Sequence, residues 1–281
     1  MTELELVRWL RSQGKGIGDD CAILPHGRED LLVTTDFLIE NVHFLRNLPP
    51  ETVGHRALAR GLSDIAAMGG EPRWCLVSLA LADWADTGWV RRLYRGLKKL
   101  ARRFRCDLVG GDLSHASAVA IDIVVIGETP RGAALRRSTA HPGDAIYVSG
   151  GLGGQPSLPE PRVNLGRFLR SRATACMDLS DGLSIDLHRL CVESRVAAVI
   201  DHPLPVAPGA TLEDALHRGE DYELLFTARR SFTSHRGLPL TRIGSIVKGP
   251  PGRVSLFGLP LEPLGYDHFA KRRSQTSHRS H

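Results

Sequence analysis

No apolar run in the 281 residues approaches the roughly 20 that a membrane-spanning helix needs. The five cysteines (Cys21, Cys75, Cys106, Cys176 and Cys191) are widely spaced and form no CxxC pair, which argues against a zinc or dithiol redox site. Four of them lie in or beside apolar runs and are expected to be buried free thiols in a reducing compartment. Met1-Thr2-Glu3-Leu4-Glu5 lacks the basic start of a signal peptide, so the expected location is cytoplasmic. The phosphate-binding motif G-x-x-x-x-G-K-[ST] is absent, and so is the protein-kinase set of a strand lysine with H-R-D. Gly150–Gly154 is glycine-rich but does not match G-x-G-x-x-G and is read as a loop. Zinc-finger spacing and an RNP-like aromatic strand are also missing, which leaves the net charge of +5 as the one pointer to nucleic acid. That excess sits on the polar face of a helix (Arg91-Arg92, Lys98-Lys99, Arg102-Arg103-Arg105) and in a polar tail, 271–281, expected to be disordered. Nucleic-acid binding is not expected.

What the chain does have is ordinary globular composition, 42% hydrophobic and 24% charged, and a length that suggests two domains. It also has six short stretches that set aspartate beside glycine, serine or threonine. They are Gly16-Ile17-Gly18-Asp19-Asp20, Thr34-Thr35-Asp36, Leu62-Ser63-Asp64, Gly110-Gly111-Asp112, Asp178-Leu179-Ser180-Asp181-Gly182 and Gly219-Glu220-Asp221-Tyr222. Taken singly, each reads as a helix cap or a turn. Taken together they read differently, because four adjoin β-like apolar runs, and ligand sites in open sheets favour strand ends. Carboxylates, hydroxyls and bare amides are what a magnesium–polyphosphate complex requires. Two like charges 4 Å apart cost ~1 kcal/mol in water and about 4 kcal/mol near a protein surface, so converging carboxylates imply more than one cation.

The pattern along the chain predicts an α+β fold. A short amphipathic helix covers 1–12, and a strand at Leu31–Thr35 delivers Asp36. A helix at Thr52–Met68 ends on Gly69-Gly70, with Ala57, Gly61, Asp64 and Met68 on one small-residue strip where Asp64 is the only charge. A strand at Arg73–Ala82 and a helix at Thr87–Phe104 follow, then a buried strand at Cys106–Val109 and another at Ala118–Ile126 with Asp122 on its wetter face. Helices are expected against one face of this first sheet. A boundary falls at His141–Asp144, giving domains 1–143 and 144–270, and Gly150–Pro161 is a linker candidate. The second half alternates the strand at Ala145–Ser149, a helix at Ser180–Ser194, a strand at Ala197–Ile200, a short helix near Leu212–His217 and strands near Glu223–Thr227, Thr241–Val247 and Arg253–Leu256. Asp178–Gly182 precedes its helix, where unpaired N–H groups favour phosphate once a cation screens the two acids.

The stretches, extended to Gly16–Ala22, Asn41-Val42-His43-Phe44, Leu62–Gly69, Val109–Asp112, Met177–Leu183, Gly219-Glu220-Asp221-Tyr222-Glu223-Leu224 and Gly265-Tyr266-Asp267-His268-Phe269, closely resemble the thiamine-monophosphate kinase family in content and order. The likeness covers about residues 16–149 and 176–270. It implies a two-domain PurM-like fold, with an N-terminal mixed sheet that pairs in a homodimer and a smaller α/β C-terminal domain. It also implies ATP- and Mg²⁺-dependent phosphorylation of thiamine monophosphate to thiamine diphosphate. Carried onto matching positions, Asp20, Thr34, Thr35, Asp36, Asp64, Asp112, Asp178 and Asp181 would hold magnesium, with Asp36 and Asp112 central to catalysis. Tyr94, Gly111, Arg137 and Ser180 would contact ATP, and His43, Glu220 and Tyr266 would hold thiamine monophosphate. Each also has a plain reading: His43 a packed histidine, Arg137 a solvated neighbour of Arg136, Tyr266 a C-terminal clamp. The family's longer helical stretch after Ala145–Ser149 is replaced here by Gly150–Pro161, so a trimmed second domain is expected. The alternatives are another ATP-using enzyme of the same superfamily or a catalytically silent nucleotide-binding protein. Selenide chemistry would want a reactive Cys and Lys near the N-terminus, but Cys21 looks structural and Lys15 lies in a plain Gly-Lys-Gly turn.

Overall fold

A computed structural model describes residues 3–14 and 16–266; Lys15, Asp267, His268, Phe269 and the basic tail lie outside the described residues. Helix α1 (Glu3–Gln13) leads into β1 (Ala22–His26), β2 (Glu29–Ile39), α2 (Pro50–Ala67), β3 (Glu71–Leu81), α3 (Thr87–Phe104), β4 (Asp107–His115) and β5 (Ala120–Pro130). These strands form one sheet in the order β1-β2-β5-β3-β4, with β3 and β4 parallel and the other pairs antiparallel. The alternation of buried and less buried residues along β2 and β5 turns one face to a core shared with α2 and α3. Among the described residues, no helix is long and apolar enough to cross a membrane.

The helices lie where expected, and small residues explain how closely they pack. A Cβ on Gly61 would sit 2.6 Å from Val125 Cγ2, so α2 rests almost directly on β5. A Cβ on Gly96 would lie 1.9 Å from the Glu51 carbonyl, which lets α2 and α3 touch backbone to backbone. Asp86 caps α3 by accepting from the Trp89 N–H at 2.7 Å, and Arg105 closes it in the left-handed conformation.

Two expectations about the first sheet need correction, and one strand is new. The strand carrying Thr34-Thr35-Asp36 does not end there but runs on to Ile39 in full register with β5. The strand expected as buried over Cys106–Val109 starts at Asp107, continues through Gly110-Gly111-Asp112 to His115, and is an edge with little burial. An edge strand has one face and one side uncovered, which its apolar start does not reveal. The hairpin partner β1 was not foreseen, because Ala22–His26 is short, contains Pro25 and lies at the sheet margin.

The second unit holds β6 (Ala145–Ser149), α4 (Val163–Leu169), β7 (Ala175–Asp178), α5 (Leu183–Ser194), β8 (Ala197–Ile200), α6 (Leu212–His217), β9 (Leu224–Ala228), β10 (Ser234–His235), β11 (Leu238–Val247), β12 (Val254–Leu256) and β13 (Leu259–Pro260). Its sheet order is β13-β12-β8-β11-β6-β9-β7, with β10 paired to β11. One face packs on α5 and α6, the other on α4 and on Ala66 and Ala67 at the end of α2. Helix α2 therefore touches both sheets and ties the two halves together. Gly150–Pro161 is not an interdomain linker. The Gly153 N–H donates to Asp221 at 2.7 Å and the Leu152 N–H to the Pro205 carbonyl at 2.8 Å, so its start is held on its own half, while His55 of α2 bonds the Pro159 carbonyl at 2.8 Å and Arg103 of α3 pairs with Glu160. Only the seven residues of α4 provide helix between β6 and β7. All five cysteines are buried and free.

The contact at Gly96 yields a test. Alanine there gains about 1 kcal/mol of helix propensity but forces two backbones apart, for an expected net loss of about 1–2 kcal/mol. A urea melt showing Gly96→Ala as stable as the parent protein would contradict the packing described.

Candidate active site

Three aspartates from three separate elements meet where the halves join. Asp20 stands just before β1, Asp64 is in the last turns of α2, and Asp178 ends β7; each offers a carboxylate oxygen, and these all lie within 4.8 Å of one another. Ser63 donates to Asp178 at 2.7 Å, and the Thr34 hydroxyl donates to Asp64. Arg137 caps the group from the side, donating to Asp20 through its Nη2 at 2.6 Å and its Nε at 3.2 Å, while its backbone N–H donates to Asp19 at 2.9 Å.

Asp36 points to the same face of β2 as Thr34 and lies near enough to Asp64 to perturb it. Burial, then the charges of Asp36, Asp178 and Asp20, push the Asp64 carboxyl well above the usual carboxylate range. Asp178 is likewise pushed well up, first by burial and then by Asp20. Asp36 is raised by burial, with Arg60 opposing, and its Oδ2 is buried with no hydrogen-bond partner. Hard oxygen donors, an unbonded carboxylate oxygen and mutual repulsion together fit a divalent cation of the magnesium kind.

The loop between β7 and α5 is organised by a residue the sequence reading overlooked. Asp186, fully buried on α5, accepts from the backbone N–H groups of Ser180 (3.1 Å), Asp181 (3.1 Å) and Gly182 (3.2 Å). Those amides, expected to be free for phosphate, are therefore already bonded. Arg189 bridges the pair, donating to Asp181 at 2.5 Å and to Asp186 at 2.9 Å. Burial and the Asp181 charge raise the Asp186 pKa to about 6. An acid on the buried side of a helix pattern, beside Leu183, Leu187 and Leu190, was the available signal.

Beside the carboxylates opens a cavity of about 230 Å³. Its walls include His43, Ser180, Asp181, Glu220 and Tyr266, together with Val42, Arg60, Gln155 and Gly219. The Glu220 wall is held in place by local backbone geometry. Glu220 and Tyr222 have φ of 68° and 53°, their N–H groups donate to the Ser180 and Leu179 carbonyls at 2.7 and 2.9 Å, and a Cβ on Gly219 would lie 2.2 Å from the Ser180 oxygen. The Tyr266 N–H donates to the Asp181 carbonyl at 3.2 Å. His43 Nδ1 accepts from the Ile39 N–H at 2.9 Å, which places the proton of the neutral ring on Nε2.

Asp64 is not the only charge that α2 sends this way. Arg56 and Arg60, two turns and one turn earlier, reach Glu220 at 2.7 Å and Asp36 at 3.7 Å. The i, i+4, i+8 spacing of Arg56, Arg60 and Asp64 carried that information.

Other expected site residues lie elsewhere. Thr35 turns to the opposite face of β2 and donates to Asp122 at 2.5 Å. Asp112 is on that same open face, since Asp112 pairs with Ser78 and Ser78 with Asp122. Two strand spacings put Asp112 roughly 10 Å from Asp122. Gly111 has φ of 151° and a Cβ there would meet the Val77 oxygen at 1.8 Å, so the edge strand itself requires glycine. Tyr94 is half-buried against the core of the first sheet, beside Cys75.

A mixed sheet carrying two helices, a second α/β unit docked on one of them, and carboxylates at the junction define a PurM-like protein. Residues 18–129 match the family described as AIR synthase related protein, N-terminal domain. The ATP-bound hydrogenase maturation protein HypE has the same fold, with a TM-score of 0.70 at 20% identity, covering 90% of this chain and 92% of HypE. The thiamine-monophosphate kinase of Aquifex aeolicus (strain VF5) is 33% identical over 292 aligned residues, which cover 92% of this chain and 94% of that protein. That of Escherichia coli (strain K12) is 35% identical, covering 91% and 92%. The structure of AaThiL complexed with AMPPCP and TMP superposes with a TM-score of 0.89 at 33% identity, over 95% of this chain and 97% of that one. The chain belongs to the thiamine-monophosphate kinase family.

The raised carboxyls have a consequence for the metal-free protein. Free aspartate loses its proton near pH 3.9, whereas Asp64, Asp178 and Asp186 hold theirs to higher pH in the fold. Above about pH 4 the folded state thus binds more protons than the unfolded chain, and stability falls as pH rises, for Asp186 through about 6. Thermal scans in EDTA should show a melting temperature that drops from pH 5 to pH 7.5, with a shallower drop in Asp178→Asn. Equal slopes in the two proteins would show that the cluster is not the source.

Proposed function

We propose that the chain transfers the γ-phosphoryl group of ATP to thiamine monophosphate, giving thiamine diphosphate and ADP. The observation that carries this reading is the meeting of Asp20, Asp64 and Asp178 beside the cavity that His43, Glu220 and Tyr266 line. A metal-holding corner thereby adjoins a wall suited to a small cationic aromatic. Glu220 offers a carboxylate to the positively charged ring of the substrate, and the Tyr266 ring offers a stacking face. His43 can donate from Nε2. Arg137 holds Asp20 from the far side, and Arg189 with Asp186 holds Asp181.

Phosphoryl transfer asks mainly for alignment and charge neutralisation. A phosphate oxygen of the acceptor attacks the γ-phosphorus in line, forming the new P–O bond as the bond to the β,γ-bridging oxygen of ATP breaks. The attacking oxygen is already ionised near neutral pH, so no side chain need remove a proton. Magnesium at Asp20, Asp36, Asp64 and Asp178, with Thr34 alongside, would supply positive charge to the phosphates in transit. Asp181 completes the proposed ligand set on this face, and Thr35 and Asp112, on the open face of the sheet, would join it through a paired subunit; Ser180, Gly111 and Tyr94 join Arg137 on the nucleotide side. The same reading divides the chain into domains 1–143 and 144–270. Selenide chemistry is disfavoured because Cys21 is 3% exposed and burial, with the charges of Asp64 and Asp20, raises its thiol well above its usual value.

We propose further that two copies pair through the open face of the first sheet. Leu24, Phe37, Ile39 and Trp74 lie there in cross-strand register with their outward neighbours and are 51%, 54%, 37% and 37% exposed. Half-covered Val33, Leu76, Val124 and Ile126 extend the patch, which is the kind of surface that marks an interface. Such pairing would set Thr35 and Asp112 at the boundary between subunits.

The test of activity is incubation with ATP, Mg²⁺ and thiamine monophosphate, with thiamine diphosphate read by fluorescence after oxidation. Product is expected from the parent protein. Asp36→Asn should lose roughly a hundredfold or more in turnover, the scale of removing one preorganised electrostatic group. Full activity in that variant would dismiss the metal-cluster reading. The pairing is tested by light scattering: Phe37→Glu should halve the mass of the parent species, and a parent protein that runs as a monomer at all concentrations would refute it.

A further inference from the structure

We infer that Arg60 is the residue that receives the phosphate group of the acceptor and so makes the site select thiamine monophosphate over thiamine; this rests on the function proposed above. Among the described residues lining the cavity, Arg60 is the one arginine or lysine, while Asp181 and Glu220 put two acids on the same walls. Of the charged side chains on those walls, Asp181 and Glu220 would repel a dianionic phosphate and this guanidinium alone would attract it.

The position of Arg60 is set by the helix. It lies one turn before Asp64 on α2, while Arg56, a further turn back, is engaged with Glu220 at 2.7 Å. Arg60 thus stands between the carboxylates at one end of the cleft and the Glu220–Tyr266 wall at the other. A phosphate attached to a ring held at that wall and directed toward the carboxylates comes alongside Arg60.

The side chain is both enclosed and underused. It is 16% exposed, yet its Nε is buried without a hydrogen-bond partner. The Asp36 oxygen nearest to it is 3.7 Å away, beyond hydrogen-bond length, and the Tyr222 ring lies 6.0 Å from its Cζ, at the outer limit of a cation–π contact. A buried guanidinium with an unbonded N–H is costly unless a partner arrives. Arginine suits phosphate because its planar fork presents two parallel donors.

The experiment compares the parent protein with Arg60→Gln and Arg60→Lys, each checked for an unchanged thermal transition. Steady-state rates give KM for thiamine monophosphate and for ATP, and calorimetry gives binding of thiamine monophosphate and of unphosphorylated thiamine. Loss of a charge-assisted hydrogen bond to phosphate predicts a rise of roughly 10- to 100-fold in the thiamine monophosphate KM for Arg60→Gln. The ATP KM should stay within about twofold, and Arg60→Lys should recover part of the loss. Thiamine, lacking the phosphate, should bind parent and variant equally. The inference is overturned if Arg60→Gln leaves the thiamine monophosphate KM unchanged, if thiamine and its monophosphate weaken together, or if the ATP KM rises instead. Should the parent protein bind thiamine monophosphate but make no diphosphate, the proposed function fails while the calorimetric preference still decides the role of Arg60.

Discussion

The mutual repulsion of Asp20, Asp64 and Asp178 is the constraint around which the molecule is arranged. Carboxylates within 4.8 Å of one another cannot all be ionised in a buried setting without compensation. The structure supplies part of that compensation itself. Arg137 binds Asp20, Ser63 donates to Asp178 and Thr34 donates to Asp64. What remains is a deficit of positive charge at the one place where both sheets and α2 converge. Such a deficit destabilises the metal-free fold and is of the kind that a bound cation would relieve.

Helix α2 is what makes the convergence possible. Its small residues, above all Gly61, let it lie close enough to β2 and β5 for Asp64 to reach Thr34 and Asp36. Its last turn, Ala66 and Ala67, packs on the second sheet, and Gly166 of α4 lies so close that a Cβ would meet the Ala66 oxygen at 1.9 Å. The polar face of the same helix then supplies Arg56 and Arg60 to the neighbouring cavity. One element thus sets the distance between the halves, contributes an acid to the carboxylate group and lines the adjoining cavity. Around it, second-rank contacts hold the first rank still: Asp186 ties down the Ser180–Gly182 amides, and the left-handed Glu220 and Tyr222 aim their loop at the same opening.

Much of this was legible in the chain. Helix α3 has the residue limits that its apolar spacing predicts, and α2, β3 and β5 lie within a few residues of theirs. His43, Ser180, Asp181, Glu220 and Tyr266, named from motif resemblance across more than two hundred residues, line one cavity. The errors have a common physical origin. The run at Cys106–Val109 is apolar, yet it forms an exposed edge, because pairing partners and sheet order are long-range facts. Thr34 and Thr35 are adjacent in sequence, and the two-residue period of a strand sends their hydroxyls to opposite faces of the sheet. Gly150–Pro161 looks like a linker by composition, but Asp221 holds it through the Gly153 N–H.

Local residue order by itself determined the kinds of groups available, the helical and extended stretches, and the family to which the motifs point. These follow from side-chain volume, backbone freedom and periodicity, which act over a few residues. Only the tertiary structure decided which acids share a pocket, that the amides of the Ser180 loop are spent on Asp186, and that Arg60 faces the cavity with an unbonded N–H. Such facts depend on distances between elements far apart in the chain, and electrostatic and hydrogen-bond energies are set by those distances rather than by order along the backbone.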